Sequence, residues 1–196
     1  MGRSVFKLVY FIELVIISII RSLSTTKYRQ LETGEDRTTR LDLSFLFLSG
    51  LGMILPIFYI FTDWLDFANY TLPNWVGWLG AALFAGAGVL LWITHQALGP
   101  SWTPTLGLRK DHQLVTRGVF KYVRHPMYAA HLMWAISQPM LLHNWIAGFS
   151  FLVVALPQYL LRVGAEEEML LDSFGEEYAD YMEQTGRIFP RKFTGE

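Results

Sequence analysis

Apolar residues fall in long blocks, without the short alternating runs of a half-buried sheet. Residues 43–61, 75–98 and 126–161 contain no Asp, Glu, Lys or Arg. A bilayer core of about 30 Å takes roughly 20 apolar residues as a helix, at about 1.5 Å per residue. Each of the first two blocks fits one span. The third is too long for one and must fold back, turning at His143-Asn144. Residues 5–20 form a weaker block, broken by Lys7 and Glu13. No small-residue cleavage site precedes Arg21, so this block reads as a span and not as a signal peptide. The pattern predicts an all-α, polytopic membrane protein of one domain. Its five transmembrane helices lie at about 5–20, 43–61, 75–98, 126–142 and 145–162. A soluble bundle would have to bury three uncharged blocks on every face.

The segments between blocks are polar and unequal. Residues 21–40 carry Arg21, Lys27, Arg29, Arg37 and Arg40, and 99–125 is a long basic loop. Residues 62–74 hold Asp63 and Asp66 but no Lys or Arg. The positive-inside rule then puts both basic loops and the C-terminus in the cytoplasm and the N-terminus outside, with Arg3 and Lys7 opposing weakly. Trp64, Tyr70 and Trp75 mark an interfacial belt. Asp42 opens the second span as an acid in the N-cap region. Pro56 should kink that span and free a carbonyl that a neighbour must satisfy. Gly77, Gly80, Ala81, Ala82, Ala85, Gly86, Ala87 and Gly88 give the third span a small-residue face for close helix packing. The fifth helix should run on into water as far as Phe174 and stop at Gly175. A short helix over 176–184 follows, with Tyr178 and Tyr181 on one face. Arg187, Pro190, Arg191 and Lys192 form a basic tail. No strand is evident.

Composition sharpens this only in part. Hydrophobic residues make up 52% of 196 and the mean hydropathy is +0.29, high for a soluble domain. A net charge of -1 argues against nucleic acid as a partner. The absence of cysteine removes disulfides, thiolate metal sites and a cysteine nucleophile. No metal site is expected.

Candidate chemistry gathers at the mouths of the last two spans. In Arg124-His125-Pro126-Met127-Tyr128, Pro126 suits the first turn of a helix. His125 is pushed toward extended geometry outside that helix, and Tyr128 sits one turn inside. The free N–H groups of the helix start favour an anion. On position alone, an interfacial anchor is the slightly better account of the same residues. Arg162 and Glu166 share a helical face, and a snorkelling cation with a paired acid would account for them. Glu13, a carboxylate at membrane depth, is either functional or a structural partner of another helix.

Taken together these stretches resemble the isoprenylcysteine carboxyl methyltransferase family, whose wider group includes phospholipid methyltransferases. The resemblance rests on Leu114-Val115-Thr116-x-Gly118, Arg124-His125-Pro126-x-Tyr128, Glu166-Glu167, Phe174-Gly175-Glu176-Glu177-Tyr178 and Arg187-x-x-Pro190. It covers about 100–190, the expected catalytic region. It departs at Ala129-Ala130, where many relatives place a glycine.

The resemblance implies S-adenosylmethionine as cofactor, S-adenosylhomocysteine as product and a cytoplasmic site covered by the 99–125 loop. It implies that His112, Gln113, Leu114 and Val115 contact the adenine edge and that Phe120 packs on the cofactor. Gly118 and Arg124 belong to the same set. His125, Pro126 and Tyr128 would line the amino-acid end, and Glu166, or its neighbour Glu167, would meet the ammonium. Arg162 would hold the acceptor, with His125 and Tyr128 beside the reaction. The expected acceptor is the carboxylate of a prenylated C-terminal cysteine or another lipid-linked molecule. Alternatives are an amine methyltransferase acting on a phospholipid or small lipid, a sterol-reductase-like enzyme using NADPH, and a non-catalytic membrane scaffold.

Overall fold

The computed structural model describes residues 2–28, 33–103, 105–110 and 112–191. Arg29 of the first basic loop and Lys192 of the tail lie outside the described residues. The chain is mostly helical: α1 (Gly2–Tyr28), α2 (Arg40–Phe61), α3 (Asn74–Leu98), α4 (Pro126–Leu142), α5 (Trp145–Phe149), α6 (Leu152–Phe174) and α7 (Glu176–Gln184). Three helical stretches, Arg40–Phe61, Asn74–Ser101 and Trp145–Phe174, are long and apolar enough to cross a membrane. α1 carries Lys7, Glu13 and Arg21, and α4 has 17 residues.

Apolar side chains cover the outside as well as the core. Leu8, Ile16, Phe47, Ile54, Phe61, Trp92 and Val153 are all exposed, an arrangement that lipid tolerates and water does not. The core is built on α3, which packs most extensively on α4 and next on α1. The small-residue face makes this possible. A Cβ at Gly80 would lie 2.8 Å from Met140 Cβ, and one at Gly77 would strike the Phe6 ring. Ala82 and Ala85 face outward, so only part of the run packs. Phe84, Trp134 and Phe151 fill the centre with tilted rings. A buried polar network joins three helices: Tyr10 Oη donates to Gln138 Oε1, and Gln138 Nε2 donates to the Ala147 carbonyl and Ser150 Oγ.

Pro56 cannot donate to the Gly52 carbonyl one turn back. Ser150 Oγ does so at 2.8 Å. The same close approach requires Gly52, whose Cβ would meet the Ser150 carbonyl at 2.9 Å. The turn between α4 and α5 falls at His143, which is left-handed, and Asn144, which caps α5.

The structure adds to two expectations and corrects two. The N-cap of α2 is Thr39, and Asp42 is the N3 acid of a reciprocal capping box. Tyr70 also packs inward: its hydroxyl donates to the Pro139 carbonyl at 2.6 Å. The last span is broken after Phe149 and resumes at Leu152. Two strands exist, β1 (Thr33–Asp36) and β2 (Gly107–Arg109), paired antiparallel with an irregularity between Thr33 and Glu35. They join the α1–α2 loop to the long basic loop. Leu106 and Leu108 beside this ladder pack on Met169 of α6, and Arg37 reaches Asp172 at 2.8 Å.

Gly80→Leu should cost about 1–3 kcal/mol by forcing α3 from α4. Gly86→Ala should be close to neutral, since its Cβ meets only the end of Met133 at 3.4 Å. Thermal unfolding of the two variants in detergent checks the contrast.

Candidate active site

Five segments converge on one cavity: the long basic loop, the start of α4, the middle of α6, the end of α1 and the middle of α2. His125 stands at the N-cap of α4 with φ −123° and is 4% exposed. Its Nε2 lies 3.2 Å from Glu167 Oε1. Arg124 donates to the same oxygen through Nε at 3.1 Å and Nη2 at 3.0 Å. Arg187 donates to the other oxygen, through Nη2 at 2.6 Å. Arg124 also donates to the Met182 and Thr185 carbonyls at the end of α7. Backbone bonds reinforce this clasp: Arg124 N–H donates to the Gly186 carbonyl and His125 N–H to that of Arg187, both at 2.8 Å. Glu167 stands beyond the apolar end of α6 at Leu160-Leu161. Burial pushes its carboxyl up, but hydrogen bonds from His125, Arg187 and Arg124 outweigh this and bring it down to about 2.

Consecutive glutamates on a helix point in different directions. Glu167 is enclosed by cations, and Glu166 faces the cavity. Tyr128 Oη donates to Glu166 Oε2 at 3.0 Å. Arg162 also lines the cavity. It does not pair with Glu166 as its spacing suggested. Its acid is Asp42 of the α2 capping box, with Nε 3.7 Å from Asp42 Oδ1. Asp42 already accepts from the Thr39 N–H and hydroxyl.

The cavity wall takes in most residues singled out from the sequence: His112, Leu114, Val115, Phe120, Arg124, His125, Pro126, Tyr128, Arg162 and Glu166. Gln113, Gly118 and Glu167 are not part of it. Gly118 instead supplies a positive φ of 65° where the loop enters a 3-10 turn. Sequence reasoning missed Arg21, Ser49, Trp102, Leu106, His131, Gln158 and Tyr178, which also line the wall. Arg21 and His131 carried a usable signal, as polar groups beside or within apolar blocks. Desolvation lowers the His112 pKa, against the opposing charge of Glu166. His112 Nδ1, Trp102 Nε1 and Tyr178 Oη have no hydrogen-bond partner among the described residues. The cavity thus offers an apolar wall with unspent polar atoms, a carboxylate at Glu166 and a guanidinium at Arg162.

A sequence profile of the isoprenylcysteine carboxyl methyltransferase family matches residues 73–172. The chain is 26% identical over 151 residues to protein-S-isoprenylcysteine O-methyltransferase B of Arabidopsis thaliana, covering 74% of this chain and 77% of that one. It is 27% identical to the protein-S-isoprenylcysteine O-methyltransferase of Dictyostelium discoideum, covering 67% and 56%. Over 81 residues it is 39% identical to that of Schizosaccharomyces pombe, covering 41% and 34%. The fold is similar, at TM-score 0.54 and 24% identity, to the solved structure of the eukaryotic intramembrane Ras methyltransferase. The match covers 76% of this chain and 50% of that one, so the chain spans about half that protein's length.

Glu167→Ala should cost about 3 kcal/mol, because it strands Arg124 without its counter-charge. Pairing it with Arg124→Met should recover part of the loss. The carboxyl is held below its ordinary 4.5, so its contribution is intact at neutral pH and is lost as the pH falls from 4.5 toward 2. Melting curves of the single and double variants, and of the wild type against pH, test both statements.

Proposed function

The chain belongs to the isoprenylcysteine carboxyl methyltransferase family, and from that premise we propose that it methylates the carboxylate of a lipid-linked acceptor with S-adenosylmethionine. The first-choice acceptor is a prenylated C-terminal cysteine, the group in the names of its relatives. The observation that carries this reading is the pairing in one cavity of a guanidinium, Arg162, with a carboxylate, Glu166, one helical turn away.

The residues present fit such a cofactor. Leu114, Val115 and Phe120 supply apolar wall for an adenine, and the unpartnered His112 Nδ1, Trp102 Nε1 and Tyr178 Oη supply polar atoms. Glu166 would take the ammonium, and Tyr128 fixes its rotamer by hydrogen bond. When bound, the cofactor supplies a methyl group activated on sulfonium and leaves as S-adenosylhomocysteine.

This chain's residues then have three tasks. Arg162 orients the acceptor, because its planar fork matches a carboxylate. A carboxylate with pKa of about 3.5 is already ionised at neutral pH, so no side chain need remove a proton. An amine acceptor would need a general base and would be repelled by Arg162. The loop over the cavity excludes water and strengthens every charge inside it. Alignment of acceptor and methyl supplies much of the rate.

In this reading α1 and α4 join the three apolar helices as spans, giving five. Both basic loops, the site and the C-terminus face the cytoplasm. The cavity opens to the cytosol for cofactor and between helices for the lipid.

Arg162→Ala should lower kcat/KM for a prenylcysteine acceptor by about a hundredfold or more, with S-adenosylhomocysteine affinity within about threefold of wild type. Glu166→Gln should weaken S-adenosylhomocysteine binding about tenfold. A labelled-methyl transfer assay over prenylcysteine, fatty-acid and aminophospholipid acceptors, together with calorimetry, checks both. Transfer to the aminophospholipid alone would overturn the acceptor assignment.

A further inference from the structure

Arg21, near the end of α1, lines the same cavity as Arg162, and nothing above uses it. It is half-buried, and that burial lowers its pKa. Its Nη1 donates to His131 Nε2 at 2.5 Å. An imidazole nitrogen that accepts from an arginine carries no proton, so this partner is neutral and leaves the guanidinium charge uncompensated. Arg162 differs, having Asp42 at 3.7 Å. Among the described residues no carboxylate pairs with Arg21. The nearby His95, 3% exposed, has both ring nitrogens without a partner and brings no negative charge.

A half-buried cation at the membrane boundary with only a neutral neighbour is costly to keep. It becomes favourable when an anion enters from outside. Arg21, His131 and Arg162 line one cavity, with Arg21 held against His131, so one small anion in the cavity can feel both charges. A carboxylate accepts at two oxygens and has room for two guanidinium donors with lone pairs to spare.

We propose that Arg21 is a second substrate-binding cation, gripping the acceptor carboxylate from α1 while Arg162 grips it from α6. The proposal rests on the acceptor reading above and deepens it. It makes carboxylate selectivity a property of two helices that do not adjoin in sequence. It also provides for release, since a methyl ester is neutral and loses the ionic part of its hold.

The test uses the full chain in detergent, with N-acetyl-S-farnesylcysteine as acceptor and its carboxamide as neutral competitor. Wild type should prefer the acid to the amide. If it does not, the acceptor reading fails and this inference fails with it. Given that preference, Arg21→Gln and Arg21→Met should each raise KM for the acid tenfold or more. The acid-over-amide preference should fall by the same factor, and the Kd of S-adenosylhomocysteine should stay within twofold. Wild-type KM and preference in either folded variant would overturn the inference while leaving the acceptor reading intact. Loss of S-adenosylhomocysteine binding or of the fold in both variants would make Arg21 a structural residue and overturn it equally.

Discussion

The enclosure of Glu167 is the interaction on which the rest of the site depends. One carboxylate on α6 receives Arg124 and His125 from the entrance of α4 and Arg187 from the segment after α7. A charge removed this far from water stands only when its oxygens are fully engaged. Here the engagement also decides geometry. It fixes the start of α4 against α6 and draws the C-terminal segment across both. By taking up Glu167 it leaves Glu166 as the carboxylate turned toward the cavity, steadied by Tyr128. Two chemically identical neighbours acquire separate roles because a helix turns about 100° between them.

Asp42 makes a second such economy at the other end of the cavity. It completes the capping box of α2 with Thr39 and lies 3.7 Å from Arg162 where α6 leaves its apolar stretch. A helix start and a cavity-lining guanidinium therefore share one acid. The arrangement suits an interfacial site: the acid restrains Arg162 without a tight bidentate pair, so that the fork remains available to a ligand. Arg21 has no such restraint, and the contrast between the two arginines is what makes their shared cavity asymmetric before any anion enters.

Much of the architecture was legible because apolar blocks are long and charges interrupt them rarely. The ends of α4 and α7, the stop of α6 before Gly175 and the need to satisfy the carbonyl opposite Pro56 all follow from local rules, and the structure agrees with each. What the sequence could not yield depends on distant partners. The strand Thr33–Asp36 reads Thr-Gly-Glu-Asp, in which only Thr33 favours a strand; it is a strand because Gly107–Arg109 lies beside it. Helical spacing paired Arg162 with Glu166, whereas tertiary packing gives it Asp42. The bond from the Tyr70 hydroxyl to the Pro139 carbonyl likewise joins residues far apart in sequence. Glu166 and Glu167 are indistinguishable locally, and it is the approach of Arg124, His125 and Arg187 that separates them.

The cover over the cavity follows the same logic of remote partners. Little of 99–125 is regular, yet buried backbone groups still need hydrogen bonds. They come from far along the chain: Arg37 N–H donates to the Leu106 carbonyl, and the Gly186 and Arg187 carbonyls accept from Arg124 and His125. Each closes a long loop, and the entropy of closure grows only slowly with length. A few well-placed bonds and one buried carboxylate therefore suffice to hold an irregular cover in place. A regular helix there would satisfy its own backbone and present one face. An irregular segment pinned at its ends can turn His112, Leu114, Val115 and Phe120 inward from a short stretch of chain, which is what a site enclosing a flat, partly polar ligand requires.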